Sequence, residues 1–471
     1  MIDQRHLGDG YREAVAAALA DGWRFASLHA TAGLESGESM VRTILTSAAG
    51  EIRCESVPVA LGSVPTIVDL VPAAGWDERE AHDLYGIGFD GHEPLRPLID
   101  HDVELDRFVT PVHGHDPYQV AVGPIHAGVI ESGHFRFHVV GDLILHVDAR
   151  LFYKHRGLER DAEGRPLGDA LRVVARSCAG CWVSNAVAYA QACEETLGLE
   201  PTPELARTRT ILLELERAWN TLNDIGAICA GVGLAAGTSR FAALVDDARQ
   251  LNARLTGHRF LFGSVAVGGS ALDLDDSRVR EARATLARIR SDSSRAWKAL
   301  LFNGSFMDRM PDIGVIDATT AMRLGVVGIS ARAAGVVEDV RTTSHRLAYD
   351  EFEVATLRRP AGDVQARLEQ RALELLPCLG ILERLLDGPV RPTTAIPRGT
   401  GSLLGVGRVE SPRGGTTCVV ERRGDRVGRV RLRTGSYANW PAVAHAAAGN
   451  LLPDFPLINK SFELCYACVD R

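Results

Sequence analysis

Two Cys-x-x-Cys pairs, Cys178-Ala179-Gly180-Cys181 and Cys465-Tyr466-Ala467-Cys468, stand far apart in a chain of 471 residues. Each pair sets two sulfurs on one turn of backbone, where they can chelate a single ion. Four thiolates drawn from distant segments make a soft, sulfur-only donor set that suits nickel, zinc or an iron–sulfur cluster. A zinc knuckle normally carries its second pair roughly 15–20 residues after the first. A separation of more than half the chain instead points to a metal centre whose halves come from either end of one large domain. A closed zinc site and a set of buried, metal-free cysteines are the alternatives. The remaining cysteines, Cys54, Cys193, Cys229, Cys378 and Cys418, are isolated and read as small buried hydrophobes. Nine cysteines in so long a chain do not form a disulfide framework.

The elements that must bring the pairs together are those of an ordinary globular protein. Hydrophobic residues make up 46% and charged residues 24% of the chain, and the length gives two or three domains with ample core. A net charge of -8 without a strong basic run argues against nucleic-acid partners. No stretch approaches the ~18 apolar residues of a membrane span, and the polar segment Met1 to Arg12 shows no signal peptide. The first ~110 residues read as a small α/β domain: a helix over Tyr11 to Asp21, strands over Trp23 to Leu28, Met40 to Thr46 and Glu51 to Val59, and a short charged helix over Trp76 to Leu84 ending near Gly86. His101 to His115 reads as a linker. Beyond it, Phe135 to Val139 and Leu143 to Val147 flank a Gly141-Asp142 turn. Helices are expected over Leu205 to Ile228, Val279 to Leu301, and from a cap at Asp363 toward Leu386, with a kink at Pro377. Strands return over Thr417 to Arg422 and Arg426 to Arg433. No internal repeat or low-complexity tract is visible.

The arrangement of the cysteine pairs resembles that of nickel–iron hydrogenase large subunits. The run Gly123-Pro124-Ile125-His126-Ala127-Gly128-Val129-Ile130-Glu131-Ser132-Gly133-His134-Phe135-Arg136-Phe137 is similar to the entry segment of the membrane-associated, energy-converting branch. Tyr153-Lys154-His155-Arg156-Gly157-Leu158-Glu159 and Gly328-Ile329-Ser330-Ala331-Arg332-Ala333-Ala334-Gly335 resemble segments shared with the quinone-site subunit of complex I. Glu78-Arg79-Glu80, Asp83-Leu84-Tyr85-Gly86-Ile87 and Phe89-Asp90-Gly91-His92 resemble complex I's small hydrophilic subunit. Fusion of the two is the arrangement of the formate hydrogenlyase large subunit. The resemblance implies an α+β chain with a small α/β domain over 1–110 and a large, mainly helical catalytic domain with a small sheet over 116–471. It implies an oxidoreductase with a nickel–iron centre. Cys178, Cys181, Cys465 and Cys468 would hold the metals, with Cys181 and Cys468 bridging nickel to an iron that carries carbonyl and cyanide. Hydrogen would be formed or split heterolytically, with a terminal thiolate such as Cys465, or a nearby base, taking the proton. Glu131 resembles the glutamate that relays that proton. Arg413, in Glu410-Ser411-Pro412-Arg413-Gly414-Gly415, resembles the arginine over the iron's ligands. His155 and Arg156 read as structural hydrogen-bonders at a subunit interface, and His126 and His134 as core or capping residues.

No third cysteine cluster exists in the sequence, so the resemblance assigns the iron–sulfur cluster to a partner small subunit. Membrane-embedded, antiporter-like or ion-translocating subunits would be further partners, with a formate dehydrogenase among those the family allows. The chain would be cytoplasmic, peripheral on the inner face of the cell membrane. Three departures bear on activity: Ala179 replaces a glycine of the first pair, Asn185 stands where a histidine is usual, and Glu463-Leu464 replaces Asp-Pro before the second pair. Asn185 can donate a hydrogen bond to the centre but cannot take up a proton at neutral pH. The family often loses a tail after a basic residue three positions past the last cysteine, where Arg471 stands; the chain is then either encoded without the tail or in mature form. Two other readings follow from the departures and from the complex I segments. One is a complex I-like NADH– or ferredoxin–quinone oxidoreductase subunit without hydrogenase chemistry. The other is a non-catalytic, zinc-bound scaffold. The electron donor, the direction of turnover and the coupling ion are not written in the sequence.

Overall fold

The computed structural model describes residues 2–8, 10–31, 39–104, 108–114, 116–126, 131–349 and 361–471. Ala127 to Ile130 of the entry segment lie outside the described residues.

The N-terminal sheet is buried on both faces. Arg24–Thr31, Met40–Thr46 and Ile52–Pro58 pair antiparallel, and Asp3–His6 adds in parallel to Ile52–Pro58. Leu28, Ala30, Val41 and Val57 pack under Tyr11 and Val15 of the helix Tyr11–Ala20 and Ala81 of the helix Gly75–Tyr85. A register shift between Phe25 and Ser27 turns Ala26 to the opposite face. There Ala26, Ile44 and Cys54 meet Leu404, Val406 and Val419 of the large domain. The helix Gly75–Tyr85 stops at Gly86, whose φ of 68° is left-handed.

The expected linker is packed rather than free. His101 Nε2 donates to the Leu151 carbonyl at 2.8 Å, and the Thr110 amide and hydroxyl both donate to Asp148, at 2.9 and 2.6 Å. The expected hairpin is present as His134–Val140 and Leu143–Arg150, and Tyr118–Val122 makes a third strand that the sequence did not announce.

The large domain is built on helices around the long Pro203–Gly231, capped where the Thr202 hydroxyl accepts from the Leu205 amide. Ala235–Thr256, Asp276–Leu301 and Val364–Leu385 follow; Asp363 caps the last through the Ala366 amide at 2.7 Å, and Pro377 lies inside it. A second antiparallel sheet joins Leu404–Ser411, Gly414–Arg423 and Arg426–Arg433. Its first strand carries the helix Trp182–Leu197. A Cβ at Gly405 would lie 2.0 Å from the Ala192 carbonyl oxygen, and one at Gly407 1.9 Å from that of Ala188. Only glycine admits helix and strand at this distance. The five isolated cysteines are all buried and free.

Candidate metal centre

The sulfurs of Cys178, Cys181, Cys465 and Cys468 all lie within 4.8 Å of one another. Cys181 is the cap of the helix Trp182–Leu197, so the first pair sits where a helix begins. That helix start is held from the side by Glu216, fully buried on the long helix. Its carboxylate accepts from the amides of Val183 at 2.6 Å and Ser184 at 3.0 Å and from the Ser184 hydroxyl. A carboxylate at a helix N-terminus satisfies orphan amides and meets the positive end of the dipole. One turn on, Asn220 donates to the Gly180 carbonyl at 2.8 Å, inside the Cys178–Cys181 loop. Asn185, the residue in the usual histidine position, donates to the Ser177 hydroxyl at 2.8 Å and so tethers the residue before Cys178.

The second pair is fixed by its neighbours' backbone. The Cys465 amide donates to the Ser436 hydroxyl at 3.0 Å, and the Thr434 hydroxyl donates to the Cys468 carbonyl at 3.3 Å. Glu131 accepts from the Ala467 amide at 2.7 Å, which brings it against the turn between the two cysteines. Burial pushes its carboxyl upward, and Cys465 adds to the shift against the Ala467 hydrogen bond. Arg156 staples the two halves together: its Nη2 donates to the Ser177 carbonyl at 2.7 Å and the Ala467 carbonyl at 3.1 Å. His155 Nδ1 lies 3.1 Å from the Asp470 carbonyl. Both behave as the structural hydrogen-bonders expected of them. His134 is a core residue, bonded to the Gly123 carbonyl at 3.1 Å. His126, against expectation, is exposed, because it follows a turn at Pro124 rather than entering a strand.

Arg413 belongs to the same cluster. It is buried, donates to Asp224 at 2.5 Å and Asn220 at 3.3 Å, and its Nε has no hydrogen-bond partner in the protein. Burial opposes its charge, but Asp224 and the sulfurs of Cys465 and Cys181 outweigh that and hold its pKa well above the ordinary value. Asp224 also accepts from Arg371 Nε at 3.1 Å. The strand that ends at Arg413 is anchored in turn: Arg332, of the Gly328–Gly335 segment, donates to Glu410 at 2.9 Å and to Glu374 at 2.7 and 2.9 Å. Glu463, in place of the usual aspartate, takes a left-handed φ of 50°; burial and then Asp224 push its carboxyl up to about 7.

Sequence reading missed Glu216, Asn220 and Asp224. Their signal was there: three polar residues at i, i+4 and i+8 on a helix otherwise buried and apolar, which places them on one face. That face is turned to the sulfurs.

As bare thiols the four cannot share charge evenly. Hydrogen bonds from Cys178, Cys181 and Cys468 hold Cys465 well below its ordinary value, and those with Cys178 and Cys465 lead the upward shift of Cys181. A soft divalent ion removes this conflict by taking all four as thiolates. The donor set therefore fits a thiophilic transition metal. The unpartnered, buried Nε of Arg413 beside it fits an anionic acceptor additional to the sulfurs.

Comparison with known proteins agrees. Residues 9–112 match the family model of the respiratory-chain NADH dehydrogenase 30 Kd subunit, and residues 240–398 and 394–471 that of the 49 Kd subunit. Formate hydrogenlyase subunit 5 of Escherichia coli (strain K12) is 30% identical over 441 residues, covering 86% of this chain and 77% of that protein. Hydrogenase-4 component G of the same organism is 30% identical, over 86% and 76%. The fused C/D polypeptide of the NADH-quinone oxidoreductase of Phocaeicola vulgatus is 24% identical over 87% of each chain. Among solved structures, a chain of the membrane-bound sulfane sulfur reductase, an archaeal respiratory membrane complex, superposes with a TM-score of 0.69 at 28% identity, over 76% of this chain and 99% of that one. Among the described residues no helix is long and apolar enough to cross a membrane. With fused 30 Kd- and 49 Kd-type regions and a converging four-cysteine cluster, the chain belongs to the energy-converting, membrane-associated nickel–iron hydrogenase large-subunit family of the formate hydrogenlyase type, related to the complex I quinone-site subunit.

Proposed function

We propose that this protein is the catalytic large subunit of a membrane-associated nickel–iron hydrogenase or formate hydrogenlyase-type complex, with residues 1–110 as its complex I small-subunit-like domain and 116–471 as its catalytic domain. The observation that carries the reading is the convergence of four cysteine sulfurs from both ends of the large domain with Arg413 beside them. Cys178, Cys181, Cys465 and Cys468 would hold the metals, with Cys181 and Cys468 bridging. When bound, the nickel–iron group supplies the redox chemistry by which hydrogen is formed or split heterolytically.

The chain's own residues do the rest. Arg413 presents a fixed positive charge and a free Nε–H to the anionic ligands of the iron, while Asp224 and Asn220 hold its guanidinium in place. Cys465, the sulfur on which negative charge collects, is the first proton acceptor. Glu131, already bonded to the Ala467 amide and shifted upward by burial, is the next station outward. Asn185 keeps the Ser177–Cys178 corner in place without titrating. Electrons leave through an iron–sulfur cluster in a partner subunit, and a membrane-embedded arm anchors the complex to the inner face of the membrane, in keeping with the membrane-bound relatives.

A second reading, a complex I-like oxidoreductase component without hydrogenase chemistry, is favoured by the similarity to the fused C/D polypeptide of NADH-quinone oxidoreductase over most of both chains. Hydrogen-dependent dye reduction, measured with nickel content on protein made with its maturation machinery, separates the two. Turnover with nickel supports the hydrogenase; a nickel-free site without turnover contradicts it.

A further inference from the structure

Arg471 is one of the most deeply buried side chains in the molecule, 2% exposed. It stands three residues beyond Cys468, at the end of the short helical turn Ala467–Asp470. Its Nη2 donates to both oxygens of Glu80, at 2.6 and 2.7 Å, and its Nε donates to Glu159 at 2.6 Å. Nη1 reaches the Val469 carbonyl at 3.3 Å, closing the turn, and the guanidinium carbon lies 4.7 Å from the centre of the Tyr437 ring. Glu80 belongs to the helix Gly75–Tyr85, which packs in the N-terminal core, whereas Glu159 sits on the helix Leu158–Ala162 of the large domain. Only a planar fork with several donors satisfies two carboxylates from two directions at once. The pocket carries balancing cations: Arg431 donates to Asp77 at 2.8 Å and to Glu80, Arg433 to Asp77 at 3.0 Å, and Arg429 to Glu159 at 3.2 Å.

We propose that Glu80 and Glu159 form a two-domain receptor for the Arg471 side chain, and that this clamp positions the segment bearing Cys465 and Cys468 against the first cysteine pair. The role goes beyond docking the two domains. Docking has a separate set of contacts at Glu421, which accepts from Arg42 at 3.0 Å and Thr31 at 3.3 Å and pairs with His29 at 3.1 Å. Glu80 is therefore a positioning residue for the sulfur cluster although it lies in the other domain. The metal-ordering consequence rests on the four cysteines forming one centre, as proposed above; the clamp itself does not.

The test is alkylation of the four cluster thiols in the metal-free 471-residue chain, followed by mass spectrometry, with hydrogen exchange of residues 464–471 alongside. Because Cys468 is fully buried, its labelling reads local opening of its segment. Glu80→Gln should speed labelling of Cys468 by about tenfold or more, since it leaves a buried guanidinium with half its charge pairing, and leave Cys178 within about threefold. Glu421→Gln, which weakens the other interface contact, should leave Cys468 within about threefold. Arg471→Lys, which keeps the charge but loses the fork, should fall between wild type and Arg471→Ala, and it decides the matter if Glu80→Gln does not fold. Unchanged Cys468 labelling in Glu80→Gln and Arg471→Ala, or equal acceleration in Glu421→Gln, overturns the clamp. Because no metal is present in this assay, the result does not depend on which metal the site binds.

Discussion

Replacing Asp224 with Asn is the sharpest probe of how Arg413 is held. Asp224 is buried, and one of its oxygens takes both Arg413 Nη1 at 2.5 Å and Arg371 Nε at 3.1 Å. Asparagine is nearly isosteric, so no cavity forms, but two buried guanidinium groups lose their shared anion. Arg371 retains only the Arg367 and Phe462 carbonyls, each at 3.1 Å, and Arg413 retains Asn220 at 3.3 Å. Breaking a buried pair by removing one partner costs about 3–5 kcal/mol, and about 4 kcal/mol is close to a thousandfold in an opening equilibrium. Amide exchange in residues 411–415 and in the helix around 220–228 should therefore accelerate by roughly that factor if these segments open locally. A double-mutant cycle with Arg413→Gln should show about 2–3 kcal/mol of coupling. Asp69→Asn, which removes an exposed partner of Arg12, should cost less than about 1 kcal/mol. Exchange within about threefold of wild type, or additivity within about 0.5 kcal/mol, would refute the idea that Asp224 fixes Arg413.

Other consequences are as direct. Glu131→Gln should lower hydrogen turnover by about two to four orders of magnitude while nickel content stays at the wild-type level; loss of nickel instead would make Glu131 a structural residue. Gly407→Ala would drive a methyl into the Ala188 carbonyl and force the helix behind Cys181 off its sheet, at about 3 kcal/mol or more, read as a lowered Tm; an unchanged Tm contradicts the close approach. Asp148 is drawn down to about 2: burial pushes it up, but hydrogen bonds from His146 and Thr110 win. A depressed folded value means that its contribution is complete above 3.8 and lost as pH falls from there through 2. Asp148→Asn should therefore flatten the acid limb of stability in that window by about 1–2 kcal/mol, and an unchanged limb in acid titration counts against the network. Cys468→Ser should abolish stoichiometric metal binding, measured by metal analysis; full retention would show that the four sulfurs do not act as one donor set.

Much of this molecule could be read from its residues, for physical reasons that differ by region. The four cysteines announced themselves because sulfur pairs at two-residue spacing have few uses other than metal binding. The helices at 203–231, 276–301 and 364–385 showed because one face of each is polar or because Thr202, Asp275 and Asp363 stand at their caps. The helix Trp182–Leu197 is buried on nearly every side, so no apolar stripe marked it. The strand Leu404–Ser411 carries glycines at 405 and 407 and reads as a loop until the helix packed on it is known. Glu216, Asn220 and Asp224 were hidden because a polar residue on a helix is ordinarily a solvated one, and only the tertiary packing turns that face inward. Arg471 and Glu80, 391 residues apart, have no local signal for each other.

The most direct measurement is an infrared spectrum of the purified protein, produced with its maturation machinery, with nickel, iron and zinc quantified on the same sample. Bands of iron-bound carbonyl and cyanide, with nickel and iron in equal amounts, are the predicted result. Zinc alone at the four sulfurs, with neither band present, would contradict a nickel–iron centre.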